Sequence, residues 1–173
     1  MKHATITAIA LLFAASALAS CDKNASAETK IDKGPVQGAI KKDVADLVEA
    51  LNNRNIEKAV THDTADSLGM FHGAANTVGP DQDLKAMKAV FVDPLAWIQV
   101  GKETVDVSDA GDMAVYRTTY NFRSTDAKTK KEAHEHGNWV IGYKKQANDT
   151  WKIAWSVVTD TPAETAAAPP AAK

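Results

Sequence analysis

The chain has 173 residues, enough for one ordinary domain with little room for a second. Apolar residues make up 45% and charged residues 24%, the balance of a globular protein rather than of a disordered chain. Lys and Arg number 20 against 22 Asp and Glu, giving a net charge of −2, which excludes a basic nucleic-acid footprint; the single cysteine excludes an internal disulfide and a cysteine-rich zinc site.

Lys2 and His3 open the chain with a short positive start, and residues 4–19 are apolar apart from Thr5, Thr7 and Ser16. The run is short for a spanning helix and leads into small residues, the pattern of a signal peptide over residues 1–20. Leu18-Ala19-Ser20-Cys21 resembles the lipobox of bacterial lipoproteins. That resemblance implies that Cys21 becomes the N-terminus, carries a diacylglyceryl thioether and has an acylated amine, palmitate for example. The alternative is an ordinary secretory signal cut near Ala19, which leaves a free thiol. Two or three acyl chains anchor a protein stably. The expected partner is therefore a membrane, reached through lipid on Cys21, with the domain in the periplasm. Asp22 resembles the inner-membrane retention signal of enteric bacteria.

Residues 21–34 are polar and small, with Ile31 the one large apolar residue, and read as a flexible tether. Residues 161–173 form an Ala/Pro tail with nothing to bury and read as disordered. The domain is then 35–160. Pro35 suits a first helical turn, and Val36, Ile40, Val44, Leu47, Val48 and Leu51 form an amphipathic stripe that ends at Asn52-Asn53. Ile56, Ala59 and Val60 predict a short second helix closed by Asp63. Residues 67–72 predict a short strand. Gly79-Pro80 precedes a third helix over 81–92, ended by Asp93-Pro94. From Leu95 the period becomes two, predicting strands over 98–107, 113–122, 134–144 and 150–159.

In this order, several segments resemble the ketosteroid-isomerase and SnoaL-like superfamily, the nuclear-transport-factor-two-like fold. They are residues 46–56 (DLVEALNNRNI), Gly79-Pro80 with Leu84, Gly111-Asp112-Met113-Ala114-Val115, and residues 144–153 (KKQANDTWKI). The resemblance spans about 35–160. It implies an α+β, cone-shaped domain, three N-terminal helices packed on a curved antiparallel sheet, with a ligand pocket between them.

Strand alternation sorts the pocket candidates. Tyr116, Thr118, Tyr120 and Phe122 share one face, as do Trp139, Ile141 and Tyr143, and Trp151, Ile153, Trp155 and Val157. These aromatic sets are expected inside. His72 shares parity with Leu68 and Met70 and is expected to point inward. The expected pocket is Met70, His72, Tyr116, Tyr120, Trp139 and Trp155. His134 and His136 share the opposite face and lack a third ligand, so no metal site is expected, and no cofactor. His62 is expected to be exposed. The resemblance also implies a general-base Asp near Phe71-His72-Gly73 and an oxyanion-binding Tyr where this chain has Leu47. Both are missing, which leaves His72 as the catalytic candidate.

The expected function is a membrane-tethered, non-catalytic module that binds a small apolar or aromatic ligand or an envelope partner. One alternative is an isomerase, hydratase or lyase using His72 with Tyr116 or Tyr120. Another is a structural homodimer formed through the outer sheet face. Cavity size separates them: a few hundred cubic ångströms for a ligand, a filled cone for the structural reading.

Overall fold

The computed structural model describes residues 31–161. The signal peptide, Cys21, most of the tether and all but the first residue of the tail lie outside the described residues.

Helix α1 spans Gly34–Asn52, with Pro35 in the first turn, where its missing N–H costs nothing. Its buried stripe is Ile40, Val44, Leu47, Ala50 and Leu51. The Asn52 side chain then acts as a strand partner, accepting from Ile98 N at 2.9 Å and donating to Ile98 O at 2.8 Å. Helix α2 spans Ile56–Ala59, capped by Asn55, and continues into a 3-10 turn over Val60–His62. Strands β1 (Asp63–Phe71) and β2 (Thr77–Val78) follow, then helix α3 (Gly79–Phe91). Gly79 sits at φ +75°, and a Cβ there would lie 2.8 Å from the Ala65 carbonyl oxygen, so both backbone and space require glycine.

The remaining strands are β3 (Trp97–Val100), β4 (Thr104–Val107), β5 (Met113–Thr125), β6 (Glu132–Lys145) and β7 (Trp151–Asp160). The order across the sheet is β2-β1-β7-β6-β5-β3, with β4 also pairing with β5. The strand expected over 98–107 is thus two strands that pair with successive parts of β5, interrupted at Gly101-Lys102-Glu103. Strand β1 is longer than expected and runs parallel to β7, so the sheet is mixed rather than wholly antiparallel. The α+β class and the helix layer on one face are as expected. Ile31, the apolar residue of the expected tether, packs on the core beside Gly111, and Lys33 pairs with Asp109 at 2.7 Å.

Inside, the α1 stripe packs with Ala114, Tyr116 and Tyr120 of β5, Trp139, Ile141 and Tyr143 of β6, and Ile153 of β7. Phe91 of α3 meets Phe122 edge to face, ring centroids 6.0 Å apart. Alternation holds along β5 and β6. It fails on β7, where Ile153 pairs with Tyr143 but Trp155 pairs with Gly142, one extra residue against β6. This bulge at Ala154 turns Trp155 outward, across the bare face of Gly142, and turns Ser156 inward. A Cβ on residue 142 would overlap the Trp155 indole. Gly142→Ala is therefore expected to destabilise the fold by about 1–3 kcal/mol in urea unfolding. Gly38→Ala, on exposed helix with nothing within 4 Å of the new carbon, is expected to stabilise it by about 0.5–1 kcal/mol.

Candidate functional site

Acidic and aromatic hydroxyl groups gather at three places around the cone. Asp43 projects from α1 with its side chain half-buried. Its Oδ1 meets His62 Nδ1 at 2.8 Å, and its Oδ2 accepts from Tyr143 OH at 2.9 Å. Tyr143 is fully buried and His62 is 9% exposed. Burial pushes the Tyr143 phenol well above its ordinary pKa, with the Asp43 charge and hydrogen bond adding to it. The Asp43 carboxylate fixes the orientation of the His62 ring through Nδ1.

Beside it lies a small cavity of about 30 Å³. Leu47, Ala59, Met87, Phe71, Trp139 and Ile153 give it apolar walls, and Asp63, Asp83, Ser67 and Ser156 are its polar groups. Ser156 Oγ accepts from Trp139 Nε1 at 2.8 Å, a bond that only the β7 bulge makes possible. Thr77 Oγ1 donates to Asp83 Oδ1. Burial, then the neighbouring Asp83 charge, lifts Asp63 from 3.8 to about 8.

At the rim, two tyrosines of β5 are each held by a glutamate. Tyr116 OH donates to Glu103 Oε2 at 2.9 Å, and Tyr120 OH donates to Glu135 Oε1. Both phenols are raised above the ordinary value, first by burial and then by these glutamates. His72 reaches the same Glu135 oxygen at 3.1 Å and lies 3.7 Å from Asp160. A separate open hollow of about 410 Å³ lies near the β3 edge, lined by Trp97, Gln99, Asn121, Phe122, Arg123 and His134.

The six expected pocket residues do not converge. Trp139 lines the cavity; Tyr116 and Tyr120 are buried in the core but not on it. Met70 and Trp155 lie on the outer face. Met70 pairs with Val157 and Leu68 with Trp155, in register with the outward side of β7 beyond the bulge. The inner side of β1 belongs to Ser67, Gly69 and Phe71. Gly69 is there because Thr77 and Asp83 press where a side chain would stand. His72, one residue beyond β1, is about one-third exposed at the rim instead of inside. His62, expected in solvent, is buried because Asp43 supplies the partner that burial demands. Among the described residues no group of three or more His, Cys, Asp or Glu could hold a metal ion.

Asp43, Asp63, Asp83 and Glu135 are absent from the sequence-based candidates, yet spacing marks three of them. Asp43 stands three residues after Ile40 and four before Leu47, on the apolar stripe, and Asp83 stands four before Met87. Glu135 shares strand parity with Trp139. Asp43→Ala leaves both Tyr143 OH and His62 without their partner. It is expected to cost about 1–3 kcal/mol for each group in urea unfolding, against about 0.5–1.5 kcal/mol for Tyr143→Phe.

No family model matches the chain, and no curated relative matches it. Solved structures do. A nuclear transport factor 2-like superfamily protein from Salmonella enterica serovar Typhimurium LT2 superposes with TM-score 0.65 at 13% identity, over 80% of this chain and 99% of that one. A ketosteroid isomerase-like protein from Erwinia carotovora atroseptica SCRI1043 gives 0.62 at 18%, over 73% and 97%. The hexachlorocyclohexane dehydrochlorinase LinA-type3 from Novosphingobium barchaimii LL02 gives 0.65 at 12%, over 72% and 85%. With helices on one face and a seven-stranded sheet behind them, this chain has the nuclear transport factor 2-like, ketosteroid-isomerase-like cone fold.

Proposed function

We propose that this chain is a lipid-tethered module of the cell envelope that works through the outer face of its sheet, pairing there with a second copy of itself. The observation that carries the reading is the filled cone. The small cavity of about 30 Å³ between helices and sheet has room for one water, whereas small-molecule sites run to about 300–1,000 Å³. The apolar or aromatic ligand expected from the sequence has no room there.

The outer face has what the interior lacks. Met70, Val157, Val140 and Arg117 form one continuous row across β1, β7, β6 and β5. Leu68, Trp155, Gly142 and Val115 form the next. The apolar members of these rows other than Gly142 are half-buried, in a layer that faces away from the helices. Four strands of about ten residues make a face of roughly 600 Å², close to the ~800 Å² per partner of a standard interface. Arg117 and its ion-pair partner Asp106 stand at the edge of the patch. A two-fold axis through the apolar rows lets these opposite charges meet across copies.

Native mass spectrometry of the mature chain is expected to show a dimer without a bound small molecule, and Val157→Lys to weaken dimerisation at least tenfold. A monomer at micromolar concentration sinks the proposal. The Cys21 anchor is tested separately: Cys21→Ala is expected to move the protein from the membrane to the soluble fraction and to abolish acyl labelling.

A second reading, an acid–base enzyme, is favoured by the part-buried Asp43–His62 pair, and one solved neighbour is a dehydrochlorinase. It requires the cone to open about tenfold in volume. A small-molecule adduct on the monomer, lost in His62→Gln, supports it over the dimer.

A further inference from the structure

The inner start of β1 contains an electrostatic problem that the core hydrogen bonds leave unsolved. Asp83, 4% exposed, accepts from Thr77. Among the described residues Asp63 Oδ2 is buried without an N–H or O–H donor, and the Asp83 carboxyl lines the same small cavity. Two acceptors therefore share this cavity, one on buried Asp83 and one the buried oxygen of half-buried Asp63. Ser67 Oγ, on a residue 1% exposed and lining the cavity, also lacks a partner among the described residues. The pairing of β1 with β7 is irregular across this stretch. Asp63 is opposite Ile153 and Leu68 is opposite Trp155, so Thr64–Ser67 bulge out of the ladder. The orphan oxygens of Asp63, Thr64 and Ser67 all belong to this stretch.

We propose that Asp63 and Asp83 form a buried proton-binding site, in which one shared proton and one water seated against Ser67 and Ser156 latch α3 onto the sheet. A proton on Asp63 turns the clash of acceptors into a hydrogen bond, and such pairs of carboxyls hold one proton between them. The cavity is the size of one water and offers it the polar partners it needs. Asp83 belongs to α3 and Asp63 to β1, so the shared proton bridges helix and sheet.

Other charges act on the pair. Asp43 of α1 adds negative potential, and Lys152 of β7 opposes it from outside, its Nζ bonded to Thr61 O. His62 of the 3-10 turn stands beside Asp63 in sequence but is held by Asp43. Tyr143 of β6 is raised in part by the Asp63 charge. The balance leaves Asp63 titrating at about 8 against 3.8 in its ordinary state. A carboxyl raised in this way is bound to its proton more tightly when folded. Its contribution is complete below about pH 4 and is lost as the pH rises to about 8. Asp46, Glu57 and Asp93 are held low and act in the opposite direction, below that window.

The test is infrared spectroscopy of the full chain in water and in deuterium oxide. At neutral pH the wild type is expected to show the carbonyl stretch of a protonated, buried carboxyl. The band should disappear as the pH passes about 9 and be absent in Asp63→Asn. Thermal melts supply the second readout. The wild type is expected to melt at a higher temperature at about pH 5 than at about pH 9, and Asp83→Asn to flatten that slope, because its amide donates to Asp63 without a proton. A wild type with no such band at neutral pH overturns the proposal even if both variants fail to fold. So does a saturable rise in melting temperature with Na⁺, Mg²⁺ or Ca²⁺ at neutral pH, which would put a cation where the proton is assigned.

Discussion

Between Ile153 and Trp155, strand β7 carries one residue more than β6 opposite it, and the two faces of the strand exchange their pattern there. Much of the rest follows. A large indole leaves the interior, and a serine hydroxyl enters it. The hydroxyl needs a buried partner and finds Trp139 Nε1. The indole needs a flat bed and finds Gly142. Beyond the bulge, Val157 joins Met70 and Val140 on the outer surface, while Val158 packs against the core. The same shift that makes the cavity partly polar makes the outer face apolar.

Three carboxyls sit close together inside this small domain, and each is accommodated differently. Asp43 is met by a ring nitrogen and a phenol. Asp83 is met by a threonine hydroxyl. Among the described residues Asp63 has no comparable donor on its buried oxygen. An uncompensated buried charge costs several kcal/mol, so the third acid takes up a proton where the first two take up donors. These groups also join layers of the fold: α1 to the 3-10 turn and β6 through Asp43, and α3 to β2 through Asp83.

The regular parts of this architecture are legible in the sequence because they depend on local periods. The α1 stripe, the switch to period two after Leu95 and the inward placement of Tyr116, Tyr120 and Trp139 all follow from spacing alone. The β7 bulge has no such signal, since Ala154 fits either face and the extra residue is defined only against β6. The parallel pairing of β1 with β7 joins segments more than eighty residues apart, and no local pattern encodes it. Met70 and Trp155 differ from expectation for this reason: large apolar side chains read as interior, whereas here they cover the outside of the sheet. Asp43 and Asp83 carry a legible signal with an ambiguous meaning, because a carboxylate on an apolar stripe reads as a solvent group until its partners are known. His62 can be placed only after Asp43.

Sharing a cone with a dehydrochlorinase and an isomerase-like protein establishes the fold and not a reaction. The side chains at this rim already have partners of their own. A tyrosine that serves an oxyanion must have its proton free to donate, and a histidine that serves as base must have a free lone pair facing substrate. Here Tyr116 already donates to Glu103, and Tyr120 donates to the same Glu135 oxygen that His72 contacts. Each glutamate also raises its phenol further from neutrality. With Lys41 holding Glu103 at 3.3 Å and Asp160 flanking His72, the rim is closed by its own ion pairs. A substrate would have to break those contacts and displace core side chains as well, whereas a partner on the outer face has to disturb neither.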